Sequence, residues 1–256
     1  MTTWVYYPHG FGDVVMLTAA LREWFYNHGP CDLVVQQPIV DSKMLDACPY
    51  VNNLFGLPQE LYKQSPVNYV VDPTYLENIC RNMLPQKDLA FIWHQSPMTG
   101  ESKILENFRL MGLRVTNPQT EVFSTPADRA KAKELIRKWV GGKPYGFIQA
   151  EARTSMSLPA EFAREWLRKR CGISEIIEVG TTYNPKEVPF GVQVELVRFA
   201  AEVIVPDSCF LHVAAALNRP IELVFAPKGA SNWDHVRPQH PVEIRHLILS
   251  QELPKP

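Results

Sequence analysis

The chain has 256 residues, of which 46% are hydrophobic and 21% charged, and its formal net charge is −1. This length allows one large or two ordinary domains with a substantial core, and no apolar run reaches the roughly 20 residues of a membrane span. Five scattered cysteines without a C-x-x-C pair indicate neither a disulfide framework nor a zinc site, and with no signal peptide visible we expect a cytoplasmic protein.

Strand and helix signals alternate through the first half of the chain. Strands are predicted near residues 4–7, 32–35, 53–56 and 68–72, and helices over 14–26, 42–47, 75–84 and 102–111, while 89–93 fits either. In the first helix, Val14, Leu17, Leu21 and Phe25 are spaced for one apolar face. This alternation predicts an α/β fold built from βαβ units around a mainly parallel sheet.

The pattern breaks near residue 125, at Asn117-Pro118 and Thr125-Pro126, and then restarts. Helices are predicted over 127–140, 159–170 and 208–217, and strands over 145–149, 175–179, 193–196, 202–205, 221–225 and 242–248. We therefore expect two similar domains, over residues 1–125 and 126–256. Because parallel sheets bind ligands beyond the carboxyl ends of their strands, two such domains facing each other predict a cleft between them.

Charge is unevenly divided between these halves. Residues 1–125 hold 8 Lys and Arg against 12 Asp and Glu, whereas residues 126–256 hold 18 against 15. An anionic ligand is therefore favoured in the second half. The tally does not resemble the concentrated basic patch that is typical of nucleic-acid binding.

The first candidate site follows the first strand. Gly10 and Gly12 permit a tight turn, but Val15 stands where the dinucleotide fingerprint G-x-G-x-x-G needs its third glycine. Asp13 begins the helix, where an ionised carboxylate is stabilised. It is either a helix cap or a general base.

Two further segments lie at predicted strand ends in the second half. Arg153, Thr154 and Ser155 follow a strand and suit a phosphate, with a solvated loop as the alternative. At residues 203–217, Asp207 or Ser208 caps a helix whose N-terminus suits a phosphate or pyrophosphate, and His212 lies one turn further on. The alternative there is a capped core helix with a satisfied histidine.

Trp233 and Arg237 form a weaker cluster, in which the tryptophan could stack on a base and the arginine could pair with an anion. The alternative is an ordinary surface loop.

Other signatures of catalytic sites are missing. The sequence has no Asp-x-Asp pair, P-loop, G-x-S-x-G elbow or H-E-x-x-H motif, which favours a metal-independent reaction.

Three motifs, taken in order, resemble the heptosyltransferase-type glycosyltransferases, family nine of the GT-B class. Residues 12–22 (GDVVMLTAALR) resemble that family's first strand–helix junction. Residues 158–162 (LPAEF) resemble its loop ending Trp-Pro-x-Glu. Residues 207–225 resemble its pattern of Asp, a small residue, glycine and His before an alanine-rich helix and a Pro-initiated strand.

The resemblance implies a GT-B fold, with two Rossmann-like domains facing across a cleft, and an inverting transfer that needs no bound metal. The acceptor would lie on the N-terminal domain and the nucleotide sugar on the C-terminal one. Asp13 falls on the catalytic base. The other implied positions are His9, Gly10 and Gly12 on the acceptor and phosphate side, and Arg153, Thr154, Ser155, Asp207, Ser208, Cys209 and His212 on the donor side.

The chain departs from the family at a few of these positions. Cys209 stands where glycine is usual, Met156 where lysine is frequent, and Ala226 where the family has the glycine of Phe-Gly-Pro. Because methionine cannot pair with a phosphate, we expect Arg153 to take over that contact.

The sequence thus predicts a metal-independent inverting glycosyltransferase without a cofactor, which uses a nucleotide-diphosphate sugar as co-substrate. Its acceptor would be a hydroxyl of a lipopolysaccharide-type glycan or glycolipid. One alternative is a bacteriophage-type enzyme that acts on a hydroxymethylated base in DNA, although the charge of −4 on residues 1–125 disfavours DNA. Another is a catalytically inactive GT-B binding protein.

Overall fold

The computed structural model describes residues 4–57, 89–91, 101–150, 158–179, 188–226 and 233–249. Its first half forms a four-stranded parallel sheet in the order β3-β2-β1-β4. The elements are β1 (Trp4–Tyr6), α1 (Phe11–His28), β2 (Cys31–Gln36), α2 (Gln37–Asp41), β3 (Val51–Leu57), β4 (Leu89–Phe91) and α3 (Lys103–Leu110).

The second half forms a five-stranded parallel sheet in the order β6-β5-β7-β8-β9. Its elements are α4 (Pro126–Val140), β5 (Gly146–Gln149), α5 (Ala160–Trp166), β6 (Ile176–Val179), α6 (Phe190–Phe199), β7 (Glu202–Pro206), α7 (Cys209–Ala216), β8 (Ile221–Phe225), α8 (Trp233–Val236) and β9 (Ile244–Ile248). A π-helical turn, Leu167–Cys171, extends α5.

Helix α1 connects the two halves of the core. Nine consecutive residues, from Val14 to Arg22, are buried, because α1 packs against α3 and also against α7 of the second half. A helix covered on several sides needs apolar or small residues all round, as the run VVMLTAAL provides. The carboxyl ends of β1 and β7, which lead into α1 and α7, are thereby brought together.

The chain passes from one half to the other between Glu121 and Ser124. Glu121 is held on the first half, where its N–H donates to Thr18 Oγ1 at 2.7 Å and its carboxylate pairs with Arg22 at 3.0 Å. Ser124 is held on the second half, where its hydroxyl donates to Glu195 Oε1 at 2.6 Å. A domain division at residue 125 stays a prediction.

The α/β class with parallel sheets is confirmed, but some predicted elements are wrong. Residues 193–196 are not a strand but the middle of helix α6. Residues 42–47 form turns, and the short helix precedes them as α2. The α-helix predicted over 159–170 ends at Trp166 and continues as the π-helical turn.

The remaining outcomes are simpler. Residues 89–91 are a strand rather than a helix. The strand predicted over 68–72 and the helix over 75–84 lie outside the described residues. Within the described parts of the chain, no helix has the length and apolar character to cross a membrane.

Candidate functional site

Asp13 is fixed at the start of α1, three residues after the N-cap residue Gly10. Its Oδ2 accepts a hydrogen bond from the Gly10 N–H at 3.1 Å. The buried Tyr7 hydroxyl donates to the Asp13 backbone carbonyl at 2.9 Å. Side chain and main chain are therefore both held, with the carboxylate at the positive end of the helix dipole, where its ionised form is favoured.

The other carboxylate oxygen of Asp13 pairs with Lys103, the first residue of α3. Lys103 Nζ lies 2.6 Å from Asp13 Oδ1, and the two side chains are only 25% and 19% exposed. Burial alone would lower the pKa of Lys103, but the charge and hydrogen bond of Asp13 outweigh it and raise that pKa, with Asp207 and Glu106 adding to the effect. The ammonium therefore stays charged at neutral pH.

Helices α1 and α7 touch at their N-terminal ends. A Cβ placed on Gly12 would lie 3.1 Å from His212 Cδ2 and 3.3 Å from Cys209 Cα. Such distances are tighter than ordinary carbon contacts, so glycine is what allows the helices to approach this closely. Beside this contact, the Phe11 ring packs on Phe190 of α6 with centroids 6.3 Å apart.

The start of α7 has a serine N-cap whose side chain does not cap the helix. Ser208 has an extended backbone, and its hydroxyl bonds to the Gln149 side chain and to the Pro206 carbonyl instead of a first-turn N–H. The Asp207 N–H donates to Phe225 O at 2.9 Å. The junction is thus tied to β5 and β8, while the Ser208 side chain leaves the helix start uncapped, as suits an anion at its N-terminus.

His212 and Cys209 carry no charge at neutral pH. Burial lowers the pKa of His212 to about 4; the nearby Asp13 opposes this shift and Lys103 adds to it. Burial, with a smaller contribution from Asp13, raises the pKa of the Cys209 thiol. The α7 side of the contact is therefore neutral apart from Asp207 and the helix dipole.

Most of the residues that the sequence singled out lie together at this contact. They are Gly10, Gly12, Asp13, Asp207, Ser208, Cys209 and His212. His9 lies nearby, with its ring 4.7 Å from the Tyr7 ring. Arg153, Thr154, Ser155 and Met156 fall outside the described residues. At the third cluster, Arg237 lies 3.7 Å from Asp234 with both side chains more than half exposed.

Sequence reasoning missed Lys103 and Tyr7, and it gave no role to Gln149, which begins the candidate segment that contains Arg153. Lys103 lay at the start of a predicted helix, which is a local signal, but its ion pair with Asp13 spans 90 residues. No pattern along the chain marks such a pair. In the described stretches, no group of three or more His, Cys, Asp or Glu is placed to hold a metal ion.

No protein-family model matches the sequence, and a search of curated proteins found no relative. Solved structures do match, and they define the class of fold: the chain has a GT-B fold like that of family 9 glycosyltransferases.

Three of these structures match over nearly the whole chain. A family 9 glycosyl transferase from Veillonella parvula matches with a TM-score of 0.68 and 12% identity, over 98% of this chain and 88% of that one. The ADP-heptose lipopolysaccharide heptosyltransferase II of E. coli matches with a TM-score of 0.61 and 13% identity, over 97% of this chain and 90% of that one. The E. coli heptosyltransferase WaaC with ADP matches with a TM-score of 0.59 and 11% identity, over 98% of this chain and 93% of that one.

Proposed function

We propose that the chain is a glycosyltransferase that moves a sugar from a nucleotide-diphosphate sugar to an acceptor hydroxyl, with inversion and without a metal ion. The observation that carries the proposal is the contact between α1 and α7. It sets the carboxylate of Asp13 beside a helix N-terminus that its own N-cap residue, Ser208, leaves uncapped. A proton acceptor and an anion site thus adjoin each other, as a direct displacement requires.

Asp13 is the general base of this reaction. Its carboxylate takes the proton of the acceptor hydroxyl while the hydroxyl oxygen attacks the anomeric carbon of the donor sugar. A single displacement breaks the bond from that carbon to the diphosphate oxygen and inverts the configuration. A carboxylate is a weak base, but it suffices where the transition state is oxocarbenium-like and the hydroxyl loses its proton late.

The α7 junction receives the leaving nucleoside diphosphate. Negative charge grows on the leaving oxygen, and the backbone N–H groups of a helix N-terminus stabilise it without reorganising. Ser208 and Asp207 set the start of the helix, and His212, neutral at pH 7, is available as a hydrogen-bonding group. Arg153, Thr154 and Ser155 complete the donor site in this proposal.

The similar structures suggest which donor and which acceptor to propose. Two of the similar structures carry ADP or an ADP-heptose analogue, so ADP-sugars are the first donors to test. A glycan or glycolipid hydroxyl is the proposed acceptor, and a cytoplasmic location is proposed with it. A hydroxymethylated DNA base is the competing acceptor for the same assay.

The first experiment is a thermal-shift screen against ADP-, UDP- and GDP-sugars, with a CMP-sugar, which has one phosphate, as the control. We expect one nucleotide-diphosphate sugar to raise the melting temperature in a concentration-dependent way. The nucleotide of that donor is then known. A chain that binds none of them is not a nucleotide-sugar enzyme.

Turnover is tested with Asp13→Asn and with Asp46→Asn, an exposed aspartate distant in sequence, as control. We expect Asp13→Asn to lower kcat by roughly a thousandfold or more without weakening donor binding, because an amide cannot take up the acceptor proton. Asp46→Asn should match the wild type. Donor binding with no turnover in any variant identifies an inactive GT-B binding protein, and turnover that survives EDTA supports metal independence.

A further inference from the structure

A third helix N-terminus lies at the contact between α1 and α7. Helix α3 begins at Lys103, whose ammonium is bonded to Asp13, so the starts of α1, α3 and α7 converge on this pair. Ser102 is the N-cap of α3, yet its hydroxyl does not cap the helix. Ser102 is 6% exposed, and its hydroxyl oxygen has no hydrogen-bond partner among the residues that the structure describes.

An unsatisfied buried hydroxyl at a helix start is unusual, because serine is favoured there for the bond it makes to the first turn. Leaving such a hydroxyl without a partner destabilises the fold. Within the described residues, the start of α3 therefore lacks a hydrogen-bond partner. A ligand that brings hydrogen-bond acceptors to this end of α3 would supply the missing partner.

Lys103 faces the α7 side as well as Asp13. Its ammonium experiences the charge of Asp207, and it acts in turn on the buried His212, one turn into α7. The side chain is 25% exposed and carries its charge on a flexible four-carbon stem. The ammonium therefore needs only a rotamer change to exchange one anion for another across the same gap.

We propose that Lys103 binds the diphosphate of the donor and leaves Asp13 when it does so, with Ser102 at the same helix start as a second contact. The inference rests on the proposed function. In the free chain Asp13 holds the lysine in place. With donor bound, the diphosphate takes the lysine, and Asp13 keeps its bond from the Gly10 N–H.

The consequence is that donor binding activates the base. A carboxylate that has lost a cationic partner accepts a proton more readily, because its ionised form is less stabilised. The acceptor hydroxyl therefore meets an active base only when the donor is in place. The device needs no additional group, since the same lysine serves both anions in turn.

The test compares ADP with AMP by isothermal titration calorimetry, or the uridine or guanosine pair if the screen selects that base. We expect Lys103→Met to weaken diphosphate binding at least tenfold and to change monophosphate binding less than threefold. Lys103→Arg should keep most of the diphosphate affinity. Lys131→Met, at an exposed lysine of α4, is the control and should match the wild type.

Asp13→Asn gives the converse variant. It releases the lysine without removing it, so diphosphate affinity should rise roughly three- to tenfold while monophosphate affinity is unchanged. This variant also serves if Lys103→Met does not fold.

The proposal is overturned if Lys103→Met binds the diphosphate like the wild type, or if Asp13→Asn gives no increase. Lys103 then only orients Asp13, and the proposed function stands. If the wild type binds no nucleoside diphosphate, the proposed function and this inference fall together.

Discussion

The strand–helix junctions at the starts of α1 and α7 occupy equivalent places in the two halves but are satisfied in different ways. At the first, the Asp13 carboxylate accepts a hydrogen bond from the Gly10 N–H and pairs with Lys103, so the junction carries a charged pair. At the second, the Ser208 hydroxyl turns away to Gln149, and the histidine one turn further on is buried and neutral. One junction already holds an anion of its own, and the other leaves its helix start to an external one.

The difference shows how one fold supports two roles. A fixed carboxylate suits a proton acceptor, which must stay ionised and oriented before substrate arrives. A helix start that its own N-cap side chain leaves uncapped suits an anion that comes and goes, because its first backbone N–H groups point outward at the positive end of the helix dipole. The following predictions, in order of falling effect, would break or sharpen this contrast.

The largest predicted effect is the loss of folding stability at low pH that results from the buried, neutral His212 of α7. His212 has a pKa of about 4 when folded against an ordinary value of 6.5, so the unfolded chain takes up the proton first as the pH falls. The stabilising contribution is therefore complete above pH 6.5 and is lost as the pH falls toward 4, by about 3 kcal/mol in total. Urea unfolding from pH 7 to 4.5 measures it.

The same titration on His212→Gln supplies the comparison. The free energy of unfolding should fall less steeply below pH 6.5 in this variant, since its side chain does not titrate. His28→Gln, at an exposed histidine, is the matched control. Identical slopes in wild type and His212→Gln would contradict the prediction, because they would mean that His212 takes up its proton in the folded chain as readily as in the unfolded chain.

The next largest effect is expected from a substitution that forces α1 and α7 apart. Gly12→Val should lower the free energy of unfolding by about 2 kcal/mol, because its methyl groups meet Cys209 and His212 in a packed contact. Nucleotide binding should weaken with it. Gly10→Ala is the control, because its new Cβ would lie at an ordinary contact distance of 3.6 Å from Asp13 Oδ2. Equal stability of the two variants would show that the halves are not in contact here.

The smallest effect has the opposite sign. Ser102→Ala removes a buried hydroxyl without a partner, so the free energy of unfolding should rise by up to about 1 kcal/mol. Ser42→Ala removes a hydroxyl that donates to Ile39 O at 2.7 Å and should lower it by a similar amount. Thermal unfolding measures both. A loss of stability in Ser102→Ala would mean that its hydroxyl is bonded after all.

The elements that could be predicted are those whose signals are local. The α7 junction follows from an apolar strand, a polar pair and an alanine-rich run, and the placement of Asp13 follows from the glycines before it. Their meeting across the two halves followed from the rule for parallel sheets together with the family resemblance.

What could not be predicted depends on distant partners. The Val-Gln-Val-Glu-Leu run of α6 alternates like a strand, yet Glu195 is fully buried because Ser124, Arg129 and Arg198 bond to it. Lys103 was overlooked for the same reason, because no sequence pattern around Asp13 indicates a cation 90 residues away. Tertiary bonding of buried charges overrides the local pattern in both cases.

The crossing between the halves sets a limit on how they can move. Only Val122 and Phe123 separate the anchor at Glu121 from the anchor at Ser124, and the Phe123 ring already leans on Tyr50 with centroids 5.9 Å apart. Two residues supply about four soft dihedrals. The crossing is therefore too short to let the halves separate at this point, and a change in their relative orientation would have to be absorbed by the dihedrals of these two residues.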